Sequence, residues 1–87
     1  MWTMLLFHSE DGVKLRTGMD VWVHCKSTNT IELKKIGFVH ESGKKIIYDT
    51  PDKNGYLGAR ISIVYVNKDK AEQAVEDYQT IFEEDGV

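Results

Sequence analysis

The sequence predicts an α+β domain: a small, mainly antiparallel, strongly bent sheet of about five strands, closed by one C-terminal amphipathic helix. Three observations carry that expectation. A β-type run, Ile61-Ser62-Ile63-Val64-Tyr65-Val66, passes with almost no linker into a helical pattern that begins at Asn67-Lys68-Asp69-Lys70-Ala71. The pattern places apolar residues at Ala71, Ala74, Val75, Tyr78, Ile81 and Phe82, within an arc of roughly 120° on a helical wheel, and everything outside the arc is polar. The remainder of the chain is cut into short apolar runs by turn formers, as expected of strands in a small sheet. Eighty-seven residues make one domain, because so short a chain cannot divide its apolar residues between two cores.

Residues 1–7 read as a buried strand, and Asp11-Gly12 is a turn signal before a second short run at 13–16. Thr17-Gly18-Met19-Asp20 is another turn. Val21, Val23 and Cys25 then alternate with Trp22 and His24, the period-two pattern of a strand with two distinct faces. Along residues 30–41, Ile31 and Leu33 sit on one phase and Ile36 and Phe38 on the other, so a bulge or sharp bend is expected near Lys34-Lys35. Ser42-Gly43 predicts a hairpin turn between the runs 37–41 and 44–49, because tight turns need positive φ. Residues 50–55 form the most loop-like segment, with Pro51 unable to donate to a ladder and Asn54-Gly55 favouring a turn. The last strand is expected over 59–66 and the helix over about 68–84, with Asn67 or Asp69 as N-cap. Its apolar side is expected to bury Ala71, Val75, Tyr78 and Phe82 against Val21, Val23, Ile36, Ile61 and Ile63.

At 41% hydrophobic and 29% charged residues, the composition is that of a folded protein rather than a disordered one. Net charge is −3, which argues against nucleic acid as the main partner. The charge is unevenly spread. Residues 1–67 hold nine Lys/Arg against seven Asp/Glu, whereas residues 68–87 hold two against seven. Cys25 is the single cysteine, so neither an internal disulfide nor a cysteine-based zinc site can form. The first eight residues are apolar but lack a basic flank and soon reach Glu10-Asp11. They fit neither a signal peptide nor a membrane span, and a cytoplasmic location with no membrane contact is expected.

Gly18-Met19-Asp20-Val21-Trp22-Val23, the bend through Ile36-Gly37-Phe38-Val39, the Ser42-Gly43 hairpin and Val64-Tyr65-Val66-Asn67-Lys68-Asp69-Lys70-Ala71-Glu72-Gln73-Ala74 together resemble a group of small proteins of phages and mobile elements of Gram-positive bacteria. The resemblance covers about residues 17–80 and implies an SH3-like barrel closed by a helix. It carries no assigned activity. Residues 1–7 depart from the pattern, so an added strand or a different sheet order is expected there, and a homodimer through that segment's edge is an open alternative.

No constellation of chemistry stands out. His24 and Cys25 are neighbours in a strand and point to opposite faces, so they cannot readily share a metal, and no spacing joins His8 to His40. Glu10, Asp11, Glu32, Glu41, Asp49 and Asp52 are scattered and mostly flank turns, without the pairing that acid–base catalysis needs. No catalytic residue, metal or cofactor is therefore expected. Two charged surfaces remain. Glu72, Glu76 and Glu83 fall close together on the helical wheel with no Lys or Arg after Lys70 to offset them, a mildly unfavourable arrangement that suggests a partner-binding face. Lys34, Lys35, Lys44 and Lys45, near Arg60 and interleaved with Trp22, Phe38, Tyr48 and Tyr56, could instead form a nucleic-acid platform. The expected function is a non-enzymatic binding or accessory domain acting by protein–protein contact, with weak nucleic-acid binding as the alternative.

Overall fold

The computed structural model describes residues 6–85, with side chains over 6–81. Five strands form one antiparallel sheet in the order β4-β3-β2-β1-β5, followed by a single helix. The strands are β1 (Asp20–Cys25), β2 (Thr30–Val39), β3 (Lys45–Tyr48), β4 (Gly58–Arg60) and β5 (Val64–Tyr65), and the helix is α1 (Lys68–Asp85). The α+β class and the C-terminal helix are as the sequence predicts. The barrel is not: β4 and β5 end the sheet on opposite sides without pairing to each other, so the SH3-like form is matched only loosely.

The sheet bends along β2, whose first part pairs with β1 and whose last part pairs with β3. A bulge lies between Ile36 and Phe38, at Gly37, rather than near Lys34-Lys35. The apolar phases misplace it because Ile31 and Leu33 lie on the outer face while Lys34 shares the inner face with Ile36, so the alternation runs unbroken to Ile36. Gly37 suits the bulge, since a Cβ there would meet the Tyr48 carbonyl oxygen at 3.2 Å. At the β2–β3 hairpin, Gly43 has φ of 72°, and a Cβ there would meet the Phe7 ring at 2.8 Å.

The expected last strand over 59–66 is broken in two. β4 and β5 sit at opposite edges of the sheet, and the chain turns the corner between them through a 3-10 turn at Ile61–Ile63. Periodicity alone cannot reveal such a corner, since Ile61 and Ile63 pack partly against the core whether strand or turn.

The bent sheet fills its own inner side. Leu15, Val21, Val23, Ile36, Ile46, Tyr48 and Val64 form the core cluster, with Met19, Val39 and Ala59 among the side chains packed around it. The helix consequently cannot reach Val21, Val23 or Ile36 as expected. It packs on the other side of β1, where Tyr78 meets His24 edge-on at 5.6 Å and the Lys68 ammonium lies 5.2 Å from the Trp22 ring. Ala71 is fully buried in that contact, while Ala74, Val75 and Tyr78 are half-buried and Ile81 is 56% exposed. The side chain of Phe82 lies outside the described residues.

The segment before β1 is a fastener. Residues 1–5 of the expected first strand lie outside the described residues. Leu6 and Phe7 are exposed, and His8 makes an isolated antiparallel bridge with Lys14. Buried Ser9 donates its hydroxyl to Asp11 and accepts the Val13 amide at 3.1 Å. The Asp11 carboxylate in turn accepts the amides of Val66 (3.1 Å) and Asn67 (2.9 Å), pinning the entry to α1. Burial pushes this carboxyl up, but the Ser9 hydroxyl and the Asn67 and Val66 amides together outweigh it, and its pKa falls below the usual value. Asn67 is the N-cap, its carbonyl accepting the Ala71 amide at 3.1 Å.

Candidate functional site

The outer face of the sheet divides into a covered half and an open half. The covered half is β1 and β5 beneath α1. His24, only 3% exposed, brings Nε2 to 2.7 Å from Asn29 Oδ1. The Asn29 amide nitrogen donates to the Val75 carbonyl at 3.1 Å, so its oxygen is left as acceptor and His24 Nε2 carries the proton. Asn29 has φ of 50°, a conformation asparagine tolerates, and this lets the β1–β2 turn reach the middle of the helix. Tyr65, the cross-strand partner of Trp22, completes this half, and burial, with Glu10, Asp11 and Asp77 nearby, raises its hydroxyl pKa.

The open half is formed by the end of β2 with β3 and β4. Cross-strand register defines its rows. Phe38 pairs with Ile47, which pairs with Gly58; one row on, His40 donates its amide to the Lys45 carbonyl and Lys45 pairs with Arg60. Their neighbours Val39, Ile46 and Ala59 turn inward to the core, so these rows face outward. Phe38 is 51% exposed and Ile47 half-buried, with no helix above them. Gly58 adds no side chain to cover Ile47. Lys45 and Arg60 are both exposed and directly opposite each other, a like-charge cross-strand pair that costs stability. Among the described residues neither is in an ion pair; Lys35, at the other end of the face, takes Asp20 at 3.6 Å.

The four lysines read from the sequence as one cluster therefore separate. Lys34 points inward: it is 9% exposed, donates to Thr50 Oγ1 (3.2 Å) and the Pro51 carbonyl (3.0 Å), and lies 5.3 Å from the Tyr48 ring. It fastens the 50–55 loop and is withdrawn from any external phosphate. Lys35 and Lys45 face outward, and Lys44 is exposed in the hairpin. Of the aromatic side chains, Tyr48 is buried, Trp22 sits under Lys68, and Tyr56 is on the exposed loop, which leaves Phe38 on the open face. Period-two alternation alone could have split Lys34 from Lys35. The gathering of Phe38, Ile47, Lys45 and Arg60 needed the bulge and the register of β4, which no local pattern gives.

Glu72 and Glu76 are exposed on α1, and the side chain of Glu83 lies outside the described residues. Concavities flank the sheet on both sides. A wide groove of about 680 Å³ runs between α1 and the N-terminal turn, lined by Glu10, Lys26, Tyr65, Lys70, Asp77 and Tyr78. A smaller recess of about 350 Å³ lies at the open end of the inner side, between Cys25, Tyr48, Asp52 and Asn54. Cys25 is half-buried at its rim rather than in the core, and hydrogen bonds from Ser27 and Thr28, aided by Asn54, lower its thiol pKa against the effect of burial. Burial raises the Tyr48 hydroxyl, with Asp52 and Glu32 adding to the shift. Among the described residues no group of three or more His, Cys, Asp or Glu could hold a metal ion, and no helix is long and apolar enough to cross a membrane.

Fold and face together define a small α+β domain with a basic and apolar sheet surface that none of the described residues covers. Comparison with protein-family models, with curated proteins and with solved structures found no match.

Proposed function

We propose that the chain is a small non-enzymatic binding domain that acts by protein–protein contact through the open half of its outer sheet face. The observation that carries this reading is Phe38, half exposed beside Ile47, next to the cations Lys45 and Arg60, neither of them in an ion pair among the described residues. Interfaces draw most of their energy from an aromatic or Arg anchor with apolar surroundings and a polar rim. The open face has those parts. The acidic helix face, Glu72 and Glu76, shows no exposed apolar residue beside it among the described residues, and it suits a rim or a solvated surface better than a centre.

Nucleic-acid binding is the second reading, favoured by Phe38 lying between Lys35 and the Lys45–Arg60 pair on an open sheet. It is weakened by the inward turn of Lys34 and the burial of Tyr48. Kinship with the phage-borne small proteins belongs to the same proposal and rests on the short motifs alone.

Proximity labelling in the native host separates these readings. Neighbours of the wild-type chain should be lost with the pair Phe38→Ser and Ile47→Ser and kept with the pair Glu72→Gln and Glu76→Gln. The reverse pattern would sink the proposal, and nuclease-sensitive labelling would favour nucleic acid.

A further inference from the structure

We infer that the open half-face takes a protein segment presenting one or two carboxylates beside an aromatic or aliphatic side chain, in extended conformation. This rests on the reading of that face as the contact surface. Lys45 and Arg60 are cross-strand partners, so their Cβ atoms stand about 5 Å apart on the same face of the sheet. No acid of the described residues is ion-paired with either, although Lys35 has Asp20. A carboxylate there gains a bidentate site on Arg60 and removes the repulsion of the like-charge pair.

The apolar part of the ligand follows from the spacing. Ile47 stands two residues along β3 from Lys45, about 7 Å away on the same face, with Phe38 at its side. That is the repeat of same-face residues in an extended peptide. An acid at one position and an apolar residue two further on would meet the cationic row and the Phe38–Ile47 row together. A continuous polyanion fits less well. Only a few cations are unpaired on this face, and residues 68–87 of the same chain carry seven acids against two lysines, which repel a long run of negative charge. A segment with one or two carboxylates escapes most of that repulsion.

The test uses the full chain, ¹⁵N-labelled, with three fluorescent probes. One is an extended peptide in which serines alternate with Glu, Phe and Glu; the second replaces each Glu with Lys; the third is single-stranded oligo-dT. The acidic peptide should bind about tenfold tighter than the basic one at low salt, weaken as salt rises, and shift the amides of Phe38, Lys45, Ile47 and Arg60. Lys45→Ala with Arg60→Ala should remove that preference while the melting curve stays that of a folded domain. The inference falls if the basic peptide binds as well, if the acidic peptide shifts only amides elsewhere, or if oligo-dT binds more tightly than the acidic peptide. A basic peptide that moves the same amides would overturn the acidic chemistry and leave the face reading standing. No shift at that face with any probe would overturn both.

Discussion

The two halves of the outer sheet face belong to one sheet and are treated oppositely. Over β1 and β5 the helix covers Trp22, His24 and Tyr65, and polar contacts tie it down: His24 with Asn29, Asn29 with the Val75 carbonyl, Lys68 with the Trp22 ring. Over β3 and β4 none of the described residues covers Phe38 or Ile47, and two cations face each other with no ion pair among the described residues. Leaving half of a phenylalanine exposed forgoes roughly 1 kcal/mol of burial. A small domain with a margin of some 5–15 kcal/mol could use that energy. The difference teaches where stability is concentrated and where a surface is held in reserve for contact.

The largest expected effect breaks the covered half. His24→Ala removes a buried ring, leaves a cavity under Tyr78 and strips Asn29 Oδ1 of its donor. Together these should cost about 2–4 kcal/mol. Chemical denaturation measures it, and Phe38→Ser on the open half, which gives up only the buried half of its ring, should cost about 1 kcal/mol. Equal losses at the two positions would erase the distinction.

Next comes the inner side of the same strand. Lys34→Ala removes two hydrogen bonds and a cation–π contact, leaving the 50–55 loop unfastened, and should cost about 1–3 kcal/mol. Lys35→Ala, one residue away, loses only an exposed ion pair and should cost under about 0.5 kcal/mol. The pair of adjacent lysines thus tests directly which face each occupies.

Asp11 tests how the helix is held over the covered half. Asp11→Asn keeps the shape but loses the charge that accepts the Val66 and Asn67 amides, and should cost about 1–2 kcal/mol at neutral pH, toward the low end because the group is partly solvated. The folded-state pKa of this carboxyl lies below its unfolded value of 3.8. Its contribution is therefore full above that value and is lost as pH falls through the folded pKa. A pH titration of stability should show an acid loss that is shallower in Asp11→Asn; an unchanged slope would remove Asp11 from the account.

The legibility of these features in sequence follows the range of the forces behind them. The helix was readable because its periodicity is local and its apolar arc is long. The side of the sheet it packs on was not, because that depends on the bent sheet filling its own interior with Leu15, Ile46 and Val64, brought together from distant parts of the chain. The same holds for the site. That Lys34 and Lys35 must diverge is written in two adjacent letters. That Arg60 lands opposite Lys45, with Phe38 a row away, depends on a bulge at Gly37 and on the chain breaking its last strand at Ile61–Ile63.

The smallest effect is the most informative about the open half. If Lys45 and Arg60 face each other for the fold's sake, replacing one with an acid should harm it. If they are kept for a partner, Lys45→Glu should stabilise the free domain by a few tenths of a kcal/mol, because it turns a repulsive cross-strand pair into an attractive one. The gain should shrink with added salt, since both side chains are exposed. The double variant Lys45→Glu with Arg60→Glu should lose it again, the mirror-image repulsion restored. A cycle of these variants measures the coupling apart from either side chain's own propensity. A stabilising single exchange that abolishes partner labelling would show a surface kept at the expense of stability. A destabilising one would assign the pair to the fold and take the charge argument away from the open face.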